Sequence, residues 1–160
     1  MDLTTEVKAT FILAQEVLTS DESGVKHLED AIIDLQSAIL KFKDESIFYS
    51  ARGDCFKTLF DYKSAISCYR TALRFADDDE KRKIRKNLCE SLMSLGLLYL
   101  KQPNFAEFAL GVFNGCLDLN PSLWRVWIYK TVALVNQGSF GEAFQTINRL
   151  CLMSYKKLFE

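Results

Sequence analysis

One histidine and two prolines stand among 160 residues, and only seven are glycine. So few helix breakers, with no long stretch alternating strictly between apolar and polar residues, favour helices over sheets. Charge of one sign is also missing. With 20 basic against 21 acidic residues the net charge is -1, which gives no global field for nucleic acid or an anionic membrane. No apolar run approaches the ~18 residues of a membrane span, and MDLTTEVKATF does not read as a secretory signal. The only sequon-like site, Asn120-Pro121-Ser122, is blocked by its proline. The five cysteines, Cys55, Cys68, Cys89, Cys116 and Cys151, include no CxxC pair and read as reduced core thiols. A cytoplasmic setting is expected, either free or attached to an intracellular assembly.

Chemistry-bearing motifs are scarce as well. His27 lies between Lys26 and Leu28 with no nucleophile or metal-ligand spacing nearby, and the chain holds no P-loop, GxGxxG or HExxH. The expectation is a non-enzyme with no catalytic residue, metal site or cofactor.

What the chain does have is a period. Ala31, Leu35 and Ala38 recur 34 residues later as Ala65, Tyr69 and Ala72, and the same step links Ala109 to Ala143 and Phe113 to Ile147. A period of that length is the mark of stacked helical hairpins. Turn signals divide the chain into predicted helices at about 4–19, 24–42, 46–59, 62–75, 79–101, 104–119, 122–137 and 140–157. Asp44, Asp61, Asn104 and Ser139 are the expected N-terminal caps, and Gly138 the left-handed exit.

Within 46–79, Tyr49, Gly53, Phe56, Tyr62, Ala65, Tyr69 and Ala72 give the order large, Gly, large, aromatic, Ala, aromatic, Ala. This resembles the tetratricopeptide repeat family. A third unit supplies Leu95, Gly96, Tyr99, Phe105, Ala109, Phe113, Cys116 and Pro121, fitting best with one extra residue around Pro103. The fourth has Trp127, Gly138, Phe140, Ala143 and Ile147, but Thr131 and Leu150 where smaller residues are expected. The first keeps Ala31, Leu35 and Ala38 and reads as an N-terminal cap. The resemblance implies an all-α, right-handed superhelical solenoid of antiparallel hairpins. It would be one domain, with repeats near 4–43, 46–79, 80–121 and 122–157.

It also implies a concave groove lined by the first helix of each hairpin. Ile47, Ser50, Asp54 and Lys57 fall there in the second repeat, Glu90, Met93, Leu97 and Leu100 in the third, and Arg125, Ile128, Val132 and Val135 in the fourth. Trp124, at the start of the last hairpin, joins them as a contact residue. So apolar a lining needs a cover: an amphipathic helix or extended peptide from a partner, a second copy, or the chain's own terminal helix. The carboxylate clamp of chaperone-tail adaptors is missing, since its positions read Glu16, Ser20, Ala51, Glu90 and Ser94, or Ser50, Asp54, Ser94, Arg125 and Tyr129.

Three further features have competing readings. Lys81, Arg82, Lys83, Arg85 and Lys86 form either a solvated helix face behind Asp77 to Glu80 or a docking patch for an acidic partner. Arg52-Gly53-Asp54 spells an adhesion tripeptide, yet Gly53 is explained by helix packing. Gly111 and Gly115 read as a close helix contact. The function expected is a protein-interaction module or scaffold. The alternatives are a structural subunit of a ciliary or microtubule-associated assembly and a homodimerising adaptor. The chain ends without the extra solvating helix that often closes such arrays, so the apolar end of the last hairpin, including Leu150, Met153 and Leu158, is expected to need a cover.

Overall fold

Seven α-helices account for nearly all of the described chain, which in this computed structural model comprises residues 22–159, with side chains over 24–155. They are α1 (Glu22–Lys41), α2 (Ser46–Thr58), α3 (Tyr62–Phe75), α4 (Asp78–Leu100), α5 (Ala106–Leu119), α6 (Trp124–Gln137) and α7 (Phe140–Phe159). No strand occurs among the described residues. None of their helices is long and apolar enough to cross a membrane. The expected helix at 4–19, with Glu16 and Ser20, lies outside the described residues. The chain groups into two compact units, one reaching to Leu88 and one starting at Cys89, so the division falls inside α4.

In the first unit, Leu28, Ala31, Leu35, Ala38 and Ile39 of α1 are buried with Phe48 and Cys55 of α2. Their three- and four-residue steps put them on one stripe, the pattern of a helix with one apolar face. The α2–α3 hairpin then closes on a single contact. A Cβ added to Gly53 would lie 2.8 to 3.0 Å from the Tyr69 ring, so the ring rests on the glycine backbone. Ala65, Tyr69 and Ala72 are fully buried on the same stripe of α3.

The second unit repeats this device. A Cβ at Gly96 would run into the ring of Phe113, itself completely buried with Ala109 and Cys116. Cys89 and Cys116 sit close by, each thiol directed at the other's backbone carbonyl, at 3.8 and 3.6 Å. Burial pushes the Cys55 thiol up to about 12, and contact with Cys89 together with burial raises Cys116 further. Both therefore stay protonated and act as small apolar fillers. Cys151 differs from the expectation, because it is exposed on α7. The extra residue near Pro103 is absorbed by a 3-10 turn, Pro103–Phe105, where Phe105, Phe108 and Tyr99 cluster with ring centroids 5.8 to 6.0 Å apart.

Helix ends follow local chemistry, with two corrections. Asp61 caps α3 by accepting the Ser64 amide at 3.2 Å, and Asp77 accepts the Glu80 amide at 2.9 Å. Asp44 and Asn104 are not caps. The residue before α2 is Glu45, with no side-chain cap bond, and Asn104 is inside the 3-10 turn. α6 ends as expected at Gly138, φ 82°, where Ser139 and Gly138 amides donate to the carbonyls of Leu134 and Val135. α2 ends in the same bonding pattern, Asp61 to Phe56 and Phe60 to Lys57, but with Phe60 in the left-handed position at φ 61°. A side chain there is strained. Gly111 and Gly115 correct another expectation, since a Cβ at either would meet nothing within 4 Å.

Gly96→Ala should destabilise the protein by about 1–3 kcal/mol through overpacking against Phe113, whereas Gly111→Ala should be neutral or stabilising by up to about 1 kcal/mol. Urea unfolding of both variants measures the contrast. Phe60 is 75% exposed, so Phe60→Gly loses little contact while relieving its backbone. It should raise stability by about 0.5–1 kcal/mol in the same assay.

Candidate protein-interaction site

α6 carries two apolar faces. Val126, Trp127, Ala133 and Leu134 are buried, while Trp124, Ile128, Val132 and Val135 are between 41 and 48% exposed. The exposed four follow steps of four, four and three, so they form one stripe along the helix. The helix entry is held firmly. Asn120 accepts bonds from the Ser122 amide and hydroxyl, and the Trp127 indole N–H donates to the Pro121 carbonyl at 2.8 Å. Lys130 and Arg149 lie 5.3 and 4.5 Å from the Trp127 ring centroid, and Arg125 is 5.4 Å from that of Trp124. These are cation–π distances. α6 carries these two cations, Arg125 and Lys130, and no acid.

The other expected groove residues of this unit, Met93, Leu97 and Leu100, are half-buried on α4, and Leu98 beside them is exposed. Phe113 connects the two helices: its ring covers Gly96 of α4 and stacks on Tyr129 of α6 at 5.9 Å. Both first helices of this unit thus pack on the same side chain of α5.

The second-repeat residues belong to the other unit and do different work. Ile47 packs against the α1–α2 core. Ser50 and Lys57 are half-buried. Asp54 is already engaged, since its Oδ1 accepts from the Tyr69 hydroxyl at 2.5 Å and from the Asn87 amide at 2.9 Å. It ties α2 to α3 and to the first half of α4. Burial pushes its carboxyl above the ordinary value, opposed by the Tyr69 bond, Lys83, Lys57 and the Asn87 bond. The Arg52-Gly53-Asp54 tripeptide is accordingly locked inside the hairpin.

Along α4, Arg82, Lys83, Arg85 and Lys86 are exposed, and Lys81 pairs with Asp78 at 3.1 Å. Ile84 between them is buried and anchors the turn. No group of three or more metal-ligating side chains occurs among the described residues. A set that repeat reasoning missed lies on α7, where Phe140, Phe144, Leu152 and Tyr155 are exposed. Ile147, expected in the core at the position of Tyr69 and Phe113, is exposed with them. The three- and four-residue steps from Phe140 through Phe144 to Ile147 were a readable signal.

The raised carboxyl of Asp54 sets a pH dependence. Its folded pKa lies above the ordinary carboxyl value of 3.8, so the folded chain binds this proton more tightly than the unfolded one. Stability assigned to this group therefore falls as pH rises through the interval between the two values and is flat on either side. Asp54→Asn should remove that fall, as followed by urea unfolding from below pH 3.8 to neutrality.

No protein-family model matches the chain, and no curated protein matches it either. Solved structures do. A crystal structure of MamA matches with a TM-score of 0.52 at 16% identity, covering 97% of this chain and 86% of that one. A second MamA crystal structure gives 0.52 at 16% identity over 98% and 94%. YrrB, described as a TPR protein with an unusual peptide-binding site, gives 0.50 at 18% identity over 96% and 75%. With the glycine–aromatic hairpins seen here, these similarities establish that the chain has the tetratricopeptide fold.

Proposed function

We propose that this chain is a non-enzymatic protein-interaction module whose α6 face receives an amphipathic helix or extended peptide. The observation that carries the reading is the stripe Trp124, Ile128, Val132 and Val135, left exposed although the opposite face of the same helix is fully buried. Large apolar groups lined up on a rigid helix cost solubility unless something covers them. An incoming helix with apolar residues at three- and four-residue spacing would match the stripe. Arg125 and Lys130 give the helix only positive charge, so acids on the flank of the incoming segment are favoured. The half-buried Met93, Leu97 and Leu100 extend the apolar surface of this unit. The peptide-binding site named for YrrB supports the same class of function by likeness of fold.

The experiment is a fluorescence titration with a synthetic amphipathic helix bearing a leucine stripe and glutamate flanks, using a sequence-scrambled peptide as control. Trp124 is the reporter. Saturable binding by the amphipathic peptide alone is expected. Val132→Glu, at an exposed position, should weaken it about tenfold or more, equivalent to about 1.4 kcal/mol, with the fold intact. Equal response to both peptides, or no effect of the substitution, would contradict the assignment.

A further inference from the structure

On α7, Phe140, Phe144, Ile147 and Cys151 follow steps of four, three and four and form a second exposed apolar seam. Phe140 is 67% and Phe144 65% exposed. The repeat period shows what such a seam is shaped to receive. Thirty-four residues earlier, Ala106, Phe113 and Leu117 occupy the positions of Phe140, Ile147 and Cys151, and all three are buried. Part of their cover is the next first helix, since Phe113 stacks on Tyr129 of α6. The α7 seam is therefore a helix-receiving surface whose counterpart on α5 is occupied.

We infer that the occupant is a second copy of this chain, with α7 of one copy packed antiparallel on α7 of the other. Three observations favour a copy. First, the residues beside the seam, Gly141, Gln145, Asn148 and Leu152, are uncharged. Self-pairing thus meets no like-charge repulsion, and no charge code selects a different partner. Second, a two-fold axis near Ile147 sets Phe144 against the partner copy's Cys151 and Phe140 against its Tyr155. Large residues then face smaller or complementary ones, as an isologous interface requires. Third, the area suffices. Taking about 150–250 Å² for a fully exposed aromatic side chain, the seam with Leu152 and Tyr155 offers on the order of 600 Å² per copy, or about 1,200 Å² in a dimer. That reaches the lower range of stable, specific interfaces. This inference does not depend on ligand binding at α6.

Light scattering on the full chain, over a concentration series from low micromolar to millimolar, tests it. The mass should rise from 18.3 kDa toward twice that value. Phe144→Glu with Ile147→Glu should hold it at the single-chain mass with an unchanged helical circular dichroism spectrum, and the milder Ile147→Gln should shift the midpoint about tenfold to higher concentration. Val132→Glu should leave the dimer intact. A wild-type chain that stays at single mass throughout, or a dimer that survives the double substitution, overturns the assignment. Loss of the dimer in Val132→Glu alone would place the interface on α6 and overturn it equally. Peptide titration of the α7 variants separates the two surfaces, because their α6 binding should be retained.

Discussion

The contact between a helix-interior glycine and a buried aromatic ring is what the hairpins depend on. Gly53 under Tyr69 and Gly96 under Phe113 let paired helices approach more closely than any side chain would permit. A glycine inside a helix costs roughly 1 kcal/mol relative to alanine, and the cost is offset by seating a full ring against bare backbone. Everything around the contact follows from its geometry. Small residues at Ala65, Ala72 and Ala109 allow the stripe to close, and Asp54 can reach both the Tyr69 hydroxyl and Asn87 because the ring is held at that depth.

The last hairpin departs from this plan, and its departure is where exposed apolar surfaces arise. Thr131 stands where the α2–α3 and α4–α5 hairpins have glycine, with its hydroxyl donating back to the Trp127 carbonyl. Ile147 replaces the aromatic and stays exposed. α6 is anchored differently, through the Trp127 indole bonded to Pro121 and flanked by Lys130 and Arg149. That anchor leaves the stripe from Trp124 to Val135 facing outward and α7 with a seam of its own. Both follow from packing physics that is satisfied on one face of each helix only.

Much of this was legible from the residues. The 34-residue step located the repeats, and the described helices fall within a few residues of their expected spans, because breakers and polar turns mark the ends. The extra residue at Pro103 was visible as a shift in register. Less legible were features that depend on what lies opposite. Asp54 has the chemistry of a groove ligand, and only three-dimensional packing shows its Oδ1 committed to Tyr69 and Asn87. Asp44 and Asn104 have capping chemistry, but the helices begin one residue away or after a 3-10 turn. Gly111 and Gly115 have the spacing of a close contact and face open space. Cys151 resembles its buried counterparts in sequence and differs in lying on the exposed face of α7.

The two-sided character of α6, one apolar side buried and one facing solvent, is directly measurable. Methyl-labelled spectra recorded with a soluble paramagnetic agent report the solvent access of each methyl. Strong broadening of Ile128, Val132 and Val135 is expected, with protection of Val126 and Leu134. Equal protection of both sets would contradict it, because the α6 stripe would then be covered from within the chain.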